Sequence, residues 1–347
     1  MNSQYLQKQL FEAVVEILER AELDPKFPKA TGGADFEVQV DGLRFAVECE
    51  KNPRPSRVSP PPKSLTSGDR IPVKGIPVAG KRLTDALSKL GWNWFDAAGN
   101  CRLAAPGRFL IECSGNSPVI KMPPGRLNLS TPETNHLMRA LLVPEHAGRS
   151  WSQRELSEAC DPQVSLGLTN KVVRELREEG FLVGDGPVQV TDPEGLLAAW
   201  TEKYRFDRNI IHSAFTLLKP GEIHRRLTSL EAEQPMVCRF AHASFSAADF
   251  QAPNVRQPVI WLYSAFGEED ILMQRLEAKA VDSGANLRIL VAGDKGVFFN
   301  HDVAEGRLRA TNPLQTYVDL MHCGGRGAEA AEAILRQCLK PAWEKKT

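Results

Sequence analysis

The chain has 347 residues, of which 42% are hydrophobic and 25% charged, and this length favours two or three domains over a single core. Its 43 basic and 43 acidic residues cancel, so no overall positive field indicates a nucleic-acid partner and any DNA contact must come from local patches. The 7 cysteines form no CxxC pair and no apolar run is long enough to span a bilayer; we therefore expect a soluble cytoplasmic protein with no membrane partner.

The first segment predicts a helix followed by a two-stranded hairpin. Residues 4–22 place apolar side chains on one helical stripe. The residues from 36 to 47 then alternate between apolar and polar as two strands joined at Asp41-Gly42. Asp35 begins the first of these strands, and Glu48 and Glu50 end the second.

A helix, a strand that starts with Asp and a strand that ends in Glu-x-Glu-Lys resemble the PD-(D/E)xK nuclease core. The resemblance implies that Asp35 and Glu48 hold Mg²⁺ and that a nearby lysine helps to activate the attacking water. Here Glu50 occupies the lysine position, and Lys51 follows one step later on the opposite face of a regular strand. For residues 1–126 we therefore favour a restriction-endonuclease-like scaffold without catalysis. Only if the domain is nuclease-active do Asp35, Glu48, Glu50 and Lys51 form a catalytic site, with Mg²⁺ on Asp35 and Glu48.

The chain between the hairpin and residue 130 predicts a loop, a helix and three further strands. Residues 52–82 are rich in proline and mostly basic where charged, which predicts a flexible or partly extended loop that either meets a phosphate backbone or is simply solvated. A helix from Lys81 and strands at residues 92–95, near 102–103 and at 109–113 follow. In the D-x-x-G-N turn we interpret Asp96, Gly99 and Asn100 as turn-forming residues. No cofactor other than the conditional Mg²⁺ is predicted.

The stretch from residue 127 to 200 predicts a winged helix-turn-helix. Thr131-Pro132 starts a first helix, and Ser152 with Glu155 forms a capping box at the start of a second. Ser165 caps a third helix, which is followed by two short strands around the Gly184-Asp185-Gly186 turn. Most units of this kind bind DNA; the alternative is a protein–protein module whose polar residues are only solvated.

The expected inward face of the third helix leaves a polar outward face for DNA. If Leu168, Val172, Val173 and Leu176 face inward, the side chains of the outward face read bases. These base-reading candidates are Thr169, Asn170, Lys171 and Arg174. A second group, expected to hold phosphates, consists of Ser152, Gln153, Arg154 and Ser165. We expect only a weak contact from the wing, because its tip carries Asp185 and no lysine or arginine.

The last segment, residues 201–347, predicts an α/β domain from its strand–helix–strand order, with a helix over residues 268–283 and a short strand from residue 296. Parts of this segment resemble the C-terminal pattern of AbiEi-type regulators. They are N-P-L-Q-T-Y-V-D-L with R-G-x-E-A-A-E, and G-A-N-L-R-I-L-V upstream. A module of the same family is also similar to the stretch near residue 96, G-W-N-W-F-D-A-A-G-N-C-R-L. The resemblance therefore covers most of residues 80–340. We interpret Asp319, Arg326 and Glu329 as salt-bridge partners around the Gly324-Gly325 turn.

The AbiEi resemblance implies the antitoxin of a type IV toxin–antitoxin system. Such a protein binds double-stranded DNA upstream of its own operon and represses it, and it neutralises a toxin encoded alongside without a stable complex. Inverted repeats would require two recognition helices, so a homodimer is an expectation. The sequence thus predicts a mixed α/β (α+β) multidomain regulator. A Mg²⁺-dependent endonuclease guided by the winged helix is the main alternative, and a DNA-anchored adaptor that binds another protein is a weaker one.

Overall fold

The computed structural model describes residues 3–120, 128–233, 239–300, 302–304 and 308–344. The chain divides into two compact units. The first consists of Met1–Arg126 with Arg177–Gly180, and the second of Leu127–Leu176 with Phe181–Thr347. Both contain helices and sheets, so the fold is mixed α/β. In the described part, no helix combines the length and the apolar character that a bilayer span requires.

The first unit is built on one six-stranded sheet in which the strands follow one another in chain order. The third and fourth strands run parallel to the second, and the other neighbouring pairs are antiparallel. Its elements are α1 (Ser3–Arg20), β1 (Phe36–Val40), β2 (Leu43–Cys49), α2 (Lys63–Thr66), β3 (Arg70–Ile76), α3 (Lys81–Lys89), β4 (Asn93–Asp96), β5 (Cys101–Ala105) and β6 (Phe109–Cys113).

Apolar side chains cover both faces of this sheet. Leu6, Leu10 and Val14 of α1 pack with Val38 and Val47 of the strands. Helices α2 and α3 contribute to a separate cluster with the opposite strand face, whose members include Leu65, Leu83, Leu87, Ala46 and Trp94. The alternation that predicted β1 and β2 is therefore real, because successive strand residues face different clusters.

Strand β3 corrects the prediction of a loop at residues 52–82. It lies inside the sheet between β2 and β4, and Val73 is buried. Its sequence, RIPVKGI, contains both Pro72 and Gly75, which are typical of turns and depleted in strands. Gly75 fits because a Cβ there would meet Leu10 and Phe95 side-chain atoms at 3.2 Å. The close packing of β3 against these side chains explains why a strand forms here, and the composition of the segment does not reveal that packing.

The second unit begins with three helices and a small hairpin. Thr131 caps the first helix, with Pro132 at its first position, as predicted. Val172, Val173 and Leu176 of the third helix are buried in a core shared with Leu137 and Leu141 of the first. The elements are α4 (Pro132–Leu142), α5 (Gln153–Glu158), α6 (Leu166–Glu178), β7 (Leu182–Val183), β8 (Gln189–Val190) and α7 (Pro193–Lys203).

The rest of the second unit is a seven-stranded mixed sheet with helices on both faces. The strand order is β12-β9-β13-β11-β10-β15-β14. The elements are β9 (Ile210–Phe215), α8 (Pro220–Glu233), β10 (Phe240–His242), α9 (Ser244–Gln251), β11 (Ile260–Ser264), α10 (Glu269–Arg275), β12 (Lys279–Ala280), β13 (Leu287–Val291), β14 (Asp302–Ala304), β15 (Leu308–Ala310), α11 (Pro313–His322), α12 (Gly327–Ile334), a π turn (Leu335–Leu339) and α13 (Lys340–Glu344).

The two units divide at residues 126/127, with Arg177–Gly180 in the first unit, whereas no division occurs near residue 200. The reason is a single hydrophobic core that includes Trp151 and Leu176 of the helical part together with Tyr263 and Leu314 of the sheet part. The six cysteines in the described part of the chain are free thiols, and Cys238 lies outside that part.

Two predicted elements of the last segment differ in the structure. The helix expected through residues 268–283 ends at Arg275, and residues 279–280 form β12 instead. The expected strand from residue 296 is replaced by a 3-10 turn, Lys295–Phe298, before β14. In both places the hydrophobic pattern alone did not determine the local conformation, because short apolar runs suit helix and strand equally.

Candidate nucleic-acid interface

Helix α6 presents a polar surface over most of its outward side. Asn170, Lys171 and Arg174 are exposed, and Arg174 has 62% of its side chain accessible. Val172 and Val173 are buried on the opposite side. This division follows from the 3.6-residue helical period. The amide, ammonium and guanidinium groups exposed on this helix are of the kinds that read base edges. Arg174 Nη2 also lies 3.7 Å from a carboxylate oxygen of the adjacent Glu175.

Thr169 corrects the predicted set of base-reading residues. It is completely buried, and its hydroxyl donates a hydrogen bond of 3.0 Å to the carbonyl oxygen of Ser165. The predicted outward face therefore loses one member. At about 100° per residue, Thr169 falls between Leu176 and Val173 on the helical wheel, inside the apolar stripe, so its assignment to the outward face was wrong.

Ser165 lies immediately before α6 and caps it. Its hydroxyl accepts a hydrogen bond of 3.4 Å from the backbone N–H of Leu168. The first turn of the helix carries no acidic residue, so the positive end of its dipole is not offset there. Leu166, the first helical residue, is exposed. This end of α6 is therefore suited to a negatively charged group.

Helix α5 begins with the predicted capping box. The Ser152 hydroxyl accepts from the N–H of Glu155, and the Glu155 carboxylate accepts from the N–H of Ser152 at 2.9 Å. Gln153 is half-buried and Arg154 is exposed in the first turn. Arg154 and Ser165 line the same groove, of about 360 Å³, between α5 and the start of α6, and Glu158 lines it too. Two of the four predicted phosphate contacts thus lie together.

The hairpin after α6 is short and is extended by a third chain segment. Trp151 and Val188 exchange two backbone hydrogen bonds of 2.8 Å each. Gly184 has φ +110°, and a Cβ there would lie 2.2 Å from the carbonyl oxygen of Pro187, so the tight turn requires glycine. The tip carries Asp185, as the sequence shows, and Val183 is exposed.

The predicted metal ligands of the first unit serve structural contacts. Asp35 accepts from the Gln7 side-chain amide at 2.6 Å and from the backbone N–H of Cys49 at 2.7 Å. Glu48 is paired with a lysine rather than left free for a cation. No group of three or more His, Cys, Asp or Glu side chains that could hold a metal occurs among the residues described. A Mg²⁺ site on Asp35 and Glu48, and catalysis with Glu50 and Lys51, therefore stay predictions.

The lysine that meets the carboxylates is Lys74, not Lys51. Strand β3 runs parallel to β2 with Lys74 in register with Glu48. Its Nζ lies 2.8 Å from Glu48 and 3.3 Å from Glu50, and 4.5 Å above the Trp92 ring. Lys51, by contrast, is exposed beyond the end of β2. Because residues 52–82 read as a loop, the sequence did not reveal this pairing.

Replacing Lys74 by methionine is expected to destabilise the first unit by about 1–2 kcal/mol. The lysine side chain is only 9% exposed while each carboxylate is 37% exposed, so the loss lies between those of exposed and buried ion pairs. Urea unfolding measures it, with exposed Lys51→Met as the matched control. The structural role would be contradicted if the wild type cleaves a duplex with Mg²⁺ and Lys74→Met loses this cleavage while its stability is unchanged.

A buried polar network connects α4 to the sheet part of the second unit. Arg139 is completely buried and donates to Asp294 at 2.8 Å and to Gln315 at 2.8 Å. The ring Nε2 of His136 donates to Asp294 at 2.7 Å. Burial alone would raise the pKa of Asp294, but the Arg139 charge and the hydrogen bonds from His136 and Arg139 lower it well below its usual value. The network fixes α4, the helix that precedes the α5–α6 pair.

Asp319 belongs to this interior and not to the glycine turn, which corrects the predicted three-residue cluster. It is completely buried and accepts from Gln315 at 2.7 Å and from the Tyr263 hydroxyl at 3.0 Å. Desolvation raises the pKa of Asp319 to about 7. Arg326 and Glu329 do pair with each other on the surface, in a two-pronged contact of 2.8 and 2.5 Å.

Comparison with known proteins found a family that is similar to part of the second unit. Residues 189–340 match the model of a family described as a transcriptional regulator, the AbiEi antitoxin of type IV TA systems. The match runs from β8 to the first residue of α13, so α5, α6 and the Asp96–Asn100 turn lie outside it. Neither the comparison with curated proteins nor that with solved structures gave a match. Residues 189–340 are thus similar to the AbiEi antitoxin family of transcriptional regulators.

Proposed function

We propose that the chain is a sequence-specific DNA-binding transcriptional regulator of the antitoxin type that represses its own operon. The observation that carries the proposal is the exposed face of α6, with Asn170, Lys171 and Arg174, directly preceding a segment similar to AbiEi regulators. The helix pair and hairpin act as a winged helix-turn-helix. A regulator of this kind needs one helix free to enter the major groove, and α6 has the required free face.

The proposed contacts divide into base reading and backbone positioning. Asn170 pairs with adenine, and Lys171 and Arg174 pair with guanine, which are the combinations that their donor and acceptor patterns favour. The groups for phosphates, in the first turn of α5 and at the start of α6, are Ser152, Gln153, Arg154 and Ser165. Thr169 supports the helix backbone through its bond to Ser165 and makes no base contact.

A protein–protein role for this module is the weaker interpretation. A protein-docking face has an apolar centre, because burying charge without a partner is costly. The outward face of α6 instead carries amide, ammonium and guanidinium groups. The groove that joins Arg154 to Ser165 also lies at the positive end of α6, as expected for a phosphate contact.

Two partners follow from the proposal. Double-stranded DNA with inverted repeats requires two copies of α6, so the chain binds as a homodimer or as paired monomers. The toxin encoded alongside is neutralised without a stable complex, as the family likeness implies. These expectations depend on the proposed function and not on a particular contact.

Replacing Asn170 or Arg174 by alanine is expected to weaken binding to the upstream duplex by about tenfold each, the value of one good base contact. Fluorescence titration with the labelled duplex at one fixed salt concentration measures this loss. A scrambled duplex should show little change for Asn170→Ala, because it offers no matching base edge.

Arg326→Ala is the matched control, since this exposed arginine is paired with Glu329 on the C-terminal helices. Its affinity for the upstream duplex should equal that of the wild type. If Asn170→Ala and Arg174→Ala also bind as the wild type does, α6 does not read the DNA and the proposal is wrong.

A further inference from the structure

Arg149 is a fixed cation at the base of the wing. Its guanidinium carbon lies 3.8 Å from the centroid of the Trp151 ring, and Trp151 is completely buried. Stacking on a buried indole restricts the arginine side chain and leaves the edge of the guanidinium plane free for hydrogen bonds. The residue itself is exposed.

The backbone around Arg149 is held on both sides. Its own N–H donates to the carbonyl oxygen of His146 at 3.1 Å. The carbonyl oxygen of the preceding Gly148 accepts from the Gln189 side chain of β8 at 3.1 Å. Trp151 in turn pairs with Val188. The guanidinium is therefore positioned by the wing as well as by the ring beneath it.

The charge of Arg149 acts on the first turn of α5. In the part of the chain that the structure describes, Arg149 has no carboxylate within salt-bridge distance. The pKa of Glu155 is lowered, chiefly by its hydrogen bonds from Ser152 and further by the positive charge of Arg149. Arg149 also lines a surface depression with Gln189 of β8, and the other charged residues of its lining are Asp192, Glu194, Lys340 and Glu344. It thus lies between the capping box of α5 and the wing strand.

We propose that Arg149 binds a DNA backbone phosphate on the wing side of the interface. This inference rests on the proposed function. The wing tip carries Asp185 and no cation, so the tip repels the backbone. A stacked arginine at the wing base supplies the missing positive charge from a rigid position. Preorganisation matters because an arginine fixed before binding loses less rotamer entropy when it meets the phosphate.

The alternative role for Arg149 is purely structural, as a lid on Trp151. A methionine at this position keeps an unbranched apolar stem over the ring and removes only the charge and the donors. Arg149→Met therefore separates the two roles. Arg149→Lys retains the charge and loses the planar stacking group, and it serves as the second variant if Arg149→Met lowers the melting temperature.

The test is a titration of the full chain with the labelled upstream duplex at several salt concentrations between about 50 and 200 mM, the range in which phosphate contacts are resolved. Arg149→Met is expected to reduce the slope of log K against log salt by about 0.9, the value of one phosphate contact, and to lower affinity by about threefold at the low-salt end. The loss should be equal on upstream and scrambled duplexes. Arg149→Lys should keep the wild-type slope, and so should the exposed control Arg336→Met.

The outcomes separate this inference from the proposed function. If Arg149→Met keeps the wild-type salt slope while Asn170→Ala weakens binding, the phosphate contact is refuted and the regulator proposal stands. If Arg149→Met changes the slope by about one contact with an unchanged melting temperature, the phosphate contact is supported. If neither Arg149→Met nor Asn170→Ala alters binding, both proposals fail.

Discussion

Asp294→Ala is expected to lower the free energy of unfolding of the second unit by about 3–5 kcal/mol, the cost of leaving one member of a buried ion pair alone. The substitution removes the acceptor for Arg139, for His136 and for the backbone N–H of Gly296. Arg139 then carries a completely buried positive charge with Gln315 as its remaining side-chain acceptor. Urea unfolding of the full chain measures the change.

A double variant tests the physical reason for this loss. Combining Asp294→Ala with Arg139→Met removes the isolated charge, so it should be more stable than Asp294→Ala alone. Glu329→Ala, which opens the exposed pair with Arg326, is the control and should leave the unfolding curve unchanged. If the losses of stability caused by Asp294→Ala and by Arg139→Met simply add in the double variant, Arg139 and Asp294 do not depend on each other.

His242→Leu is expected to become steadily more stable than the wild type as the pH falls below the ordinary histidine value of 6.5. His242 is completely buried, neither ring nitrogen has a hydrogen-bond partner among the described residues, and the ring stacks on His224 at 5.1 Å. Burial, and then the charge of His224, lower the pKa of His242 to about 3. Between pH 6.5 and 3 the unfolded chain therefore binds a proton that the folded chain does not. Each pH unit in this window costs the wild type about 1.4 kcal/mol, a cost that leucine abolishes.

Asp319 acts in the opposite direction over nearly the same window. Its pKa is about 7 in the fold against an ordinary 3.8, so between these values the folded chain holds the extra proton and acidification stabilises it. We expect the two contributions to offset each other in the wild type. Unfolding curves between about pH 4.5 and 7.5 should then fall steeply toward acid in Asp319→Asn and rise toward acid in His242→Leu. Parallel curves for wild type and both variants would refute the assignment.

Local sequence signals predicted the parts of the fold that depend on neighbours along the chain. The capping box at Ser152 and Glu155, the cap at Thr131 and the Asp41-Gly42 hairpin are all present. The turn at Asp96 also forms as predicted, because its carboxylate accepts from the N–H groups of Ala98 and Asn100 at 2.9 Å each. In each case the interacting groups lie within a few residues of each other, which is the range that a sequence pattern reports.

The residues that the sequence missed depend on distant contacts. Lys74 meets Glu48 only because β3 enters the sheet in parallel register, and Asp319 is interior only because α11 packs under Tyr263. Arg149 became a candidate through its stacking on Trp151, which no spacing rule indicates as a DNA contact. Thr169 differs, since the helical period alone places it between the buried Leu176 and Val173. The stacked pair of His224 and the buried His242 likewise gave no sequence pattern, because the two residues come from different elements.

Sequence reading by α6 is measured by the ratio of the affinities for two duplexes. One duplex carries the upstream region of the chain's own gene, and the other has the same composition in scrambled order, at the same length and salt. If α6 reads bases, the wild type should bind the upstream duplex at least about 10³-fold more tightly, the lower end for specific recognition. Equal affinity for the two duplexes would rule out base reading by α6, because only non-specific phosphate attraction would then remain.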